Sequence, residues 1–581
     1  MNHSNYISLK KIKKLRSGKL VFWLCFCLLI LFLASCKTRE DAGSKRSGSD
    51  SFDFLVTNAR IVDGMGNPWF RADVGIRGDR ILEIGDLKGR PASRIIDAAD
   101  RVLAPGFIDL MGQSSELLVI DPASAESKLR QGITTYLSGE GESAAPQSDS
   151  TQPRPLPTPG GDSIAWRTYR EYFTILEERG IPLNVIHNVG AVQVREIVLG
   201  DEDVDPTSEQ MDKMKSLVRQ AMQDGAVGIT TALIYPPGAF ASTQELIELS
   251  KVAGEYGGTY FTHMRNESYA IMGAIREALT IGKEAGVPVH IYHLKVAGEQ
   301  NWPLMDRALA LIDSARTAGM DVTADIYPYI RNGIGLGSFV HPRHYKKGDE
   351  AFRNRLSDKE FRQELRREIE MTADWENWYR SVGMDWNNVL LVSVPKDMPR
   401  EIVGMSLEEA SRHLGKDSWT TFFDLVQAGW TSVCPASMNE GQKCAALHRP
   451  WVMIDTDADP VNPDSTDAFH PRAFGAFPRV IAKYVREDGV IELEDAVRRM
   501  TSLAANRLGL YNRGRIAPGM IADLVIFDPA QLQDLATFQK PLQYSEGIDF
   551  MWVNGVLTID GRELTGAKGG RPLRHLHRKM K

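Results

Sequence analysis

Residues 258–263 read GTYFTH and residues 287–293 read VPVHIYH, and a helical pattern over 268–285 lies between them. Both short runs are largely apolar and do not alternate strictly, which is typical of strands buried on both faces of a parallel sheet. A strand, a helix and a second strand in succession predict β/α construction, in which each helix carries the chain back to begin a parallel neighbour. This stretch indicates the α/β fold class.

The same alternation extends along the chain in both directions. Further helical patterns cover 208–224 and 243–256. Eight strands are predicted, at 106–111, 133–137, 183–187, 226–230, 258–263, 287–293, 321–325 and 451–457. Eight is the number that closes a barrel, so we expect a TIM-like (β/α)8 barrel.

The regions outside these strands predict further domains. Short apolar runs broken by turns at 52–104 and 509–574 indicate two β-rich ends that join in a small β-sandwich, with the barrel at 105–508. The last two barrel strands are roughly 120 residues apart, far too many for a bare loop. We therefore predict an insertion at about 330–449, between strands seven and eight, and a basic tail at 575–581.

The first 35 residues have the pattern of an export signal. Six basic residues precede an apolar run over 20–33, and the residues LAS stand directly before Cys36. This order is that of a secretory signal, and the cysteine resembles the bacterial lipoprotein signal, in which the thiol is acylated. We predict a lipoprotein signal peptide at 1–35, lipidation of Cys36 and a flexible tether at 36–51. An uncleaved membrane anchor is the alternative.

These features predict a protein of the bacterial cell envelope, attached to a membrane by lipid, with the choice of inner or outer membrane open. The net charge of −6 becomes more negative once the basic signal is removed. An acidic protein has no electrostatic reason to bind nucleic acid. Cys434 and Cys444 fit either a disulfide or two separate small side chains.

Candidate metal ligands stand where predicted strands end. His263 and His293 end strands five and six, Asp457 ends strand eight, and Glu140 follows strand two. The carboxyl ends of barrel strands converge on one mouth, so these distant residues are expected to meet there. Two imidazoles and a carboxylate match a catalytic zinc site with three protein ligands. Asp457 is then the general base beside metal-activated water, and Glu142 competes with Glu140 as ligand.

Longer motifs resemble one known family. They read APGFID (104–109), THMR (262–265), DIYPY (325–329) and HPRAFG (470–475). These motifs, in this order, resemble the D-aminoacylases, the N-acyl-D-amino-acid deacylases of the amidohydrolase superfamily, over nearly all of the chain after the signal. The resemblance implies zinc-dependent deacylation, and it implies that Lys295, Tyr327 and Arg472 hold the substrate carboxylate or the scissile carbonyl.

The sequence departs from this family at two metal positions. The superfamily usually has His-x-His after strand one, where this chain has Met111 and Gln113. The family's cysteine ligand after strand two is also absent, and the sequence SGEGE (138–142) stands in that region. We therefore expect one zinc ion per chain, with Glu140 replacing the cysteine.

Three functions remain open from the sequence. The first is hydrolysis of the amide bond of N-acyl-D-amino acids by metal-activated water, and the second is an envelope peptidase that cleaves short D-amino-acid peptides. The third is a metal-free, lipid-anchored binding protein on a degenerate barrel, suggested by Met111 and Gln113. The preferred acyl and amino groups, D or L selectivity and the oligomeric state are not determined by the sequence.

Overall fold

The computed structural model describes residues 51–152 and 154–575. From Phe52 onward these residues belong to one compact unit. The predicted signal peptide, Cys36, nearly all of the tether and the tail beyond His575 lie outside the described residues. Among the helices of the described ranges, none combines the length and the apolar character needed to cross a membrane.

The predicted strands of the middle region are present and parallel. In chain order they are Phe107–Asp109, Ile133–Ser138, Asn184–His187, Gly228–Ala232, Thr259–His263, Val289–Ile291, Val322–Ile326 and Val452–Ile454. A ninth strand, Val189–Gly190, follows Asn184–His187 in the chain and lies outside the eight predicted strands. The first three form one hydrogen-bonded arc and the other six form a second arc, each in chain order. Nearly every residue of these strands is buried, as expected for a sheet covered on both faces.

Buried polar contacts connect the ends of the two arcs. The ammonium group of Lys128 donates to Asp109 Oδ2 at 2.8 Å and to the carbonyl oxygen of Ala458 at 2.7 Å. The backbone N–H of Thr456 donates to Asp109 Oδ1 at 3.0 Å. On the other side, the N–H of Val227 donates to the carbonyl of His187 at 2.8 Å. The first and last parallel strands are thus fixed side by side.

Helices alternate with these strands. Their bounds are Leu117–Ile120, Glu126–Leu129, Tyr169–Arg179, Ala191–Leu199, Ser208–Asp224, Thr243–Glu255, Ile271–Ala285, Leu304–Thr317, Arg472–Arg479, Leu493–Met500 and Ser502–Arg507. Ser208–Asp224 begins where predicted, because Thr207 and Gln210 form a capping box. The helix predicted from 268 begins at Ile271, because the Asn266 side chain accepts hydrogen bonds from the N–H groups of Ser268 and Ala270 and holds a turn there.

The insertion has its own sheet and core. Strands Ile334–Gly335, Val389–Ser393 and Ser432–Pro435 form an antiparallel sheet. Around it lie helices Asp349–Arg355, Lys359–Met371, Trp378–Ser381, Leu407–His413 and Ser418–Ala428, whereas the following helix Glu440–Leu447 packs on the core of the parallel region. An aromatic cluster that includes Trp378, Trp386 and Phe422 fills the space between them. Cys434 and Cys444 are both free thiols.

Strands from both chain ends share one sheet of nine strands. From the first end come Phe52–Ile61, Phe70–Arg77, Arg80–Gly85, Ala92–Asp97 and Val102–Pro105, and from the second come Leu524–Phe527, Ile548–Val553, Val556–Asp560 and Glu563–Leu564. The two ends meet where Val102–Pro105 pairs antiparallel with Leu524–Phe527. This pairing attaches the beginning and the end of the parallel region to the same sheet.

Candidate active site

Glu140, His263 and His293 converge at the carboxyl ends of the parallel strands. Glu140 Oε1 lies 2.8 Å from His263 Nδ1 and 3.2 Å from His293 Nε2. One ligand atom from each residue lies within 4.8 Å of the other two. Glu142 instead has an exposed side chain and lines the neighbouring cavity. The structure therefore brings together three of the sequence candidates and selects Glu140 over Glu142 by position.

Glu267 lies behind the two imidazoles and is absent from the sequence-based candidates. Its fully buried carboxylate is 3.0 Å from His293 Nδ1 and 3.4 Å from His263 Nε2. Each histidine therefore has one nitrogen toward Glu140 and the other toward Glu267. Metal-ligating histidines usually have such an outer carboxylate, which fixes the tautomer and the ring orientation. Its position four residues after His263 is the signal that the sequence offered.

Lys295 lies on this inner side and not on the predicted substrate side. Its Nζ is 2.6 Å from Glu267 Oε2 and 2.6 Å from His293 Nδ1, and the residue is only 3% exposed. It does not belong to the residues lining the cavity at the mouth. In this arrangement the ammonium group neutralises Glu267.

Asp457 and Arg472 form an ion pair beside the three candidate ligands. Arg472 Nη1 lies 2.5 Å from Asp457 Oδ2, and both side chains are buried. Arg472 stands in the first turn of helix Arg472–Arg479. Asp457 lies beyond the strand Val452–Ile454 and has φ of 44°. Left-handed backbone is rare in residues other than glycine, and it is often found at active sites.

The Tyr327 side chain is buried between cations. Its ring centroid is 4.6 Å from the Arg472 guanidinium and 4.5 Å from Lys443 Nζ. Its hydroxyl is buried and has no hydrogen-bond partner in the described structure. Burial raises the pKa of Tyr327 well above its usual value, so the hydroxyl keeps its proton and is available as a donor.

Burial and charge shift the pKa values of the cluster in opposite directions. Burial acts to raise the pKa of Glu140, but hydrogen bonds and charge from His263 and His293 hold that pKa well below the usual value. Burial and Lys295 act to lower the pKa of His293, but Glu267, Asp457 and Glu140 raise it to about 9. Burial raises the pKa of Asp457, although Arg472 and His293 oppose this. Because carboxylates lie on both sides of the two buried imidazoles, this site favours a positive charge.

Gln113 connects two of these acids. Its Nε2 lies 2.9 Å from Glu140 Oε2 and 2.9 Å from Asp457 Oδ1. In the sequence Gln113 stands where the superfamily usually has a histidine, and its contacts are not foreseeable because the partners are 27 and 344 residues away. Gln113 also has left-handed backbone, with φ of 57°.

A cavity of about 420 Å³ opens in front of this cluster. Glu140, Asp457 and Arg472 lie at its polar side, and Tyr235, Val392, Trp430 and Phe469 contribute apolar surface. Among the described residues that line it, Arg472 is the single Lys or Arg side chain. The cavity has a size that is typical of small-molecule sites.

The residues present fit a divalent metal ion. Two imidazole nitrogens and one carboxylate oxygen form the donor set, and the far nitrogen of each ring faces Glu267. Three protein ligands of these types, with an open side toward a cavity, are the composition of catalytic zinc sites.

Comparisons with known proteins agree with this arrangement. A family model described as the amidohydrolase family matches residues 444–559. A D-aminoacylase of Alcaligenes xylosoxydans xylosoxydans is 34% identical over 530 residues, which cover 91% of this chain and 99% of that protein. The chain belongs to the D-aminoacylase family of amidohydrolases.

Two solved structures of the D-aminoacylase family are similar to the whole unit. One is a D-aminoacylase with a binuclear metal centre, in which one metal ion activates and the second attenuates. Its TM-score is 0.75 at 32% identity. The other is an N-acyl-D-glutamate deacylase of Bordetella bronchiseptica complexed with zinc and a phosphonate that mimics the tetrahedral intermediate, with a TM-score of 0.74 at 31% identity. Each match covers 90% of this chain and 100% of the other.

Membership in the D-aminoacylase family confirms the predicted enzyme class, a hydrolase acting on linear amide bonds. It also confirms the α/β fold class, since these neighbours have the TIM-barrel type of amidohydrolase fold. The alternative of a metal-free binding protein has no support from these relatives.

Proposed function

We propose that the protein hydrolyses the amide bond of N-acyl-D-amino acids with one zinc ion held by Glu140, His263 and His293. The observation that carries this proposal is the convergence of these three side chains within 4.8 Å, facing Asp457 and a cavity of small-molecule size. The preference for the D configuration rests on the relatives and not on any residue of this chain.

Asp457 is the general base in this proposal. A bound divalent ion supplies a Lewis acid that polarises a carbonyl group and makes water more acidic. Asp457 takes the proton from the attacking water and delivers it to the departing nitrogen, a task that suits a carboxylate at the cavity wall. Burial, which raises the pKa of Asp457, makes this carboxylate a stronger base than an exposed aspartate.

Arg472 and Tyr327 bind the substrate in this proposal. A guanidinium group pairs with a carboxylate through two parallel hydrogen bonds, so Arg472 is suited to the α-carboxylate of the amino acid. The unpartnered hydroxyl of Tyr327 donates to the oxygen that becomes negative in the transition state. We assign Lys295 to holding Glu267, because its ammonium group already contacts that carboxylate.

The cavity favours substrates with neutral side chains. Arg472 is its single described Lys or Arg, whereas Glu140, Glu142, Asp457 and Asp459 also line it. Once Arg472 holds the α-carboxylate, no cation of the lining is left for an acidic side chain, which would lie among carboxylates. We therefore propose that N-acyl-D-amino acids with apolar side chains are better substrates than N-acyl-D-glutamate or N-acyl-D-aspartate.

A second candidate is a peptidase that removes a D-amino acid from a short peptide. A polar cavity of about 320 Å³ adjoins the first and is lined by Glu116, Glu142 and Asp459, without any Lys or Arg among its described lining residues. Such a surface suits the free ammonium group at the start of a peptide. Glu142→Gln is expected to weaken hydrolysis of D-dipeptides more than hydrolysis of N-acetyl-D-amino acids.

We also propose that the parallel strands form a closed barrel. We take the two parallel arcs as the wall of an eight-stranded barrel, in which Asn184–His187 and Val189–Gly190 together form one strand position, and the nine-stranded sheet as the small sandwich formed by both chain ends. The bridging contacts of Lys128 and Asp109 support closure of the barrel. The boundaries at 105, 330, 449 and 508 stay predictions.

A substrate panel with metal analysis tests the proposal. The purified protein is assayed with N-acetyl-D- and N-acetyl-L-amino acids of apolar and acidic type, and with D- and L-dipeptides. Asp457→Asn is expected to keep its metal and to lose about a hundredfold to ten-thousandfold in kcat. Asp560→Asn, which changes an acid paired with Arg94 in the nine-stranded sheet and outside the cavity lining, is the control. An Asp457→Asn variant as fast as the parent would falsify the assignment of the base.

A further inference from the structure

Gln113 stands between the two acids on which the proposed reaction depends. Each oxygen of the two carboxylates has its own partner: Glu140 Oε1 faces the imidazoles and Oε2 faces Gln113, while Asp457 Oδ2 faces Arg472 and Oδ1 faces Gln113. Glu140 Oε2 and Asp457 Oδ1 thus share a single nitrogen as hydrogen-bond donor.

Only the NH2 end of the Gln113 side chain fits this place. Its two protons match two acceptors, one from each acid, at 2.9 Å. The amide oxygen in the same position would face two carboxylates and be repelled by both. The network therefore determines the orientation of the amide group.

The backbone holds Gln113 in this position. The residue has a φ of 57°, and the N–H of Gly139 donates to its carbonyl oxygen at 3.0 Å. A side chain on the preceding Gly112 would lie 2.2 Å from the ring of Tyr136, so the chain passes close to the strand Ile133–Ser138. A left-handed conformation is strained in a residue other than glycine, so the surrounding structure must enforce it.

Two facing carboxylates need either a cation or hydrogen-bond donors between them. A cation bound there would displace both N–H···O bonds and would meet the positive end of the amide dipole. The amide nitrogen has no lone pair available for a metal. The neutral amide thus satisfies both acids without adding charge, and its nitrogen offers no ligand to a second ion.

On the basis of the proposed function, we propose that the Gln113 amide is a neutral bridge that orients Glu140 and Asp457 and excludes a second metal ion from between them. The consequence is an enzyme that binds one metal ion per chain and keeps its rate in excess metal. The similar D-aminoacylase differs in both respects, because it has a binuclear metal centre and its second metal ion attenuates it. Gln113 is a positioning residue in this scheme, because it acts through the two acids.

Metal counting on three proteins tests the inference. The parent, Gln113→Glu and Gln113→Leu are each equilibrated with one equivalent and with a several-fold excess of Zn²⁺, desalted, and analysed for metal per chain. We expect one ion in the parent under both conditions. Gln113→Glu places a third carboxylate between the two acids and is expected to take up a second ion in excess zinc.

Gln113→Leu has a similar volume but no donor. It is expected to keep one ion, to bind it about tenfold to a hundredfold more weakly, and to lose rate by a comparable factor. Losses of this size are typical when an outer partner of a metal ligand is replaced. Gln147→Glu is the matched control, because it adds the same charge at the wall of the adjoining polar cavity without contacting Asp457 or the imidazoles. Its metal content is expected to equal that of the parent.

Turnover against added zinc gives a second readout. The parent is expected to keep its rate as zinc rises, whereas Gln113→Glu is expected to slow down as its second ion binds. A parent that takes up two ions, or a folded Gln113→Glu variant that stays at one, overturns the inference. Metal counting needs no substrate, so an inactive substrate panel would refute the proposed function without changing this result.

Discussion

The ion pair between Asp457 and Arg472 gives each side chain two roles. Arg472 stabilises the charged form of the base, yet the proposed reaction needs its guanidinium for the substrate carboxylate. Binding of the carboxylate would therefore share the cation between two anions and make Asp457 more basic. Substrates without a carboxylate would leave the ion pair intact.

Replacement of Arg472 is expected to change both substrate binding and pH dependence. Arg472→Gln removes charge-assisted hydrogen bonds, so KM is expected to rise about tenfold to a hundredfold. Burial raises the pKa of Asp457 and Arg472 opposes that effect, so loss of Arg472 raises the pKa further. The base works only when deprotonated, so the acidic limb of the kcat/KM profile is expected to move to higher pH.

The pH profile of kcat/KM measures this prediction. Arg486→Gln, which removes an arginine bonded to the carbonyl groups of Pro529 and Leu532, is the control for loss of one positive charge. An acidic limb that stays at the parent's pH in Arg472→Gln would contradict the electrostatic link between the two residues.

Glu267 offers a test of metal affinity. Glu267→Gln keeps the size of the side chain but removes the charge that faces both imidazoles and Lys295. Zinc affinity is expected to fall about tenfold to a hundredfold, because outer carboxylates raise the basicity of histidine ligands. Competition with a chromogenic chelator measures the affinity, and Glu277→Gln, which changes an acid paired with Arg265, is the control. Equal affinities in Glu267→Gln and the parent would contradict this role.

The sequence predicted the site residues that stand next to strand ends and missed those whose partners are distant. His263, His293 and Asp457 were found because parallel strands end at one edge. Gln113 and Glu267 were not found, since their significance comes from contacts made only after folding. Lys295 was assigned to the substrate, whereas its side chain contacts Glu267 behind the imidazoles.

At the level of elements, the predicted strands were right in order and in place but several were too long. His293 and Asp457 were included in strands, yet the structure ends these strands at Ile291 and Ile454. Both residues have positive φ, at 38° and 44°, which a pattern of residue types does not reveal. The turn that ends each strand is what directs its side chain into the mouth of the site.

The insertion contributes part of the apolar side of the cavity, including Val392 and Trp430. Trp430 stands just before the strand Ser432–Pro435, and its ring packs against the backbone at Gly335. Its ring centroid lies 6.2 Å from that of Tyr235, which belongs to the loop after Gly228–Ala232. Trp430 is 68% exposed, so a bound ligand can bury much of it.

Trp430→Ala is expected to weaken binding of substrates with large apolar groups. Loss of the ring removes apolar contact worth about 1–2 kcal/mol, so KM for such substrates is expected to rise roughly tenfold. Trp69→Ala, which removes another partly exposed tryptophan just before the strand Phe70–Arg77, is the control. A series of N-acyl-D-amino acids of increasing side-chain size measures the effect. Equal KM increases for the smallest and largest members would contradict a contact with the apolar group.

At the scale of the whole molecule, both ends of the described chain are attached to the parallel region. Arg513 and Asp523 form a buried ion pair near the nine-stranded sheet, and Asn184 Nδ2 donates to Asp523 at 3.2 Å. The carbonyl of Arg571 accepts a hydrogen bond from the N–H of Val185 at 3.1 Å. The contacts of Asn184 and Val185 are beyond sequence patterns, because they join residues more than 300 positions apart.

The unit from Phe52 onward contains every residue of the proposed site, so attachment to a membrane is expected to be separable from catalysis. The Cys36→Ser variant is expected to lose incorporation of labelled palmitate in a bacterial host and to move from the membrane to the soluble fraction, because the predicted acylated thiol is gone. Cys444→Ser, at a half-buried free cysteine, is the matched control and is expected to stay with the membrane. Activity per chain is expected to be the same in both fractions. Membrane attachment and label that persist in Cys36→Ser would refute lipidation at this cysteine and favour an uncleaved apolar segment as the anchor.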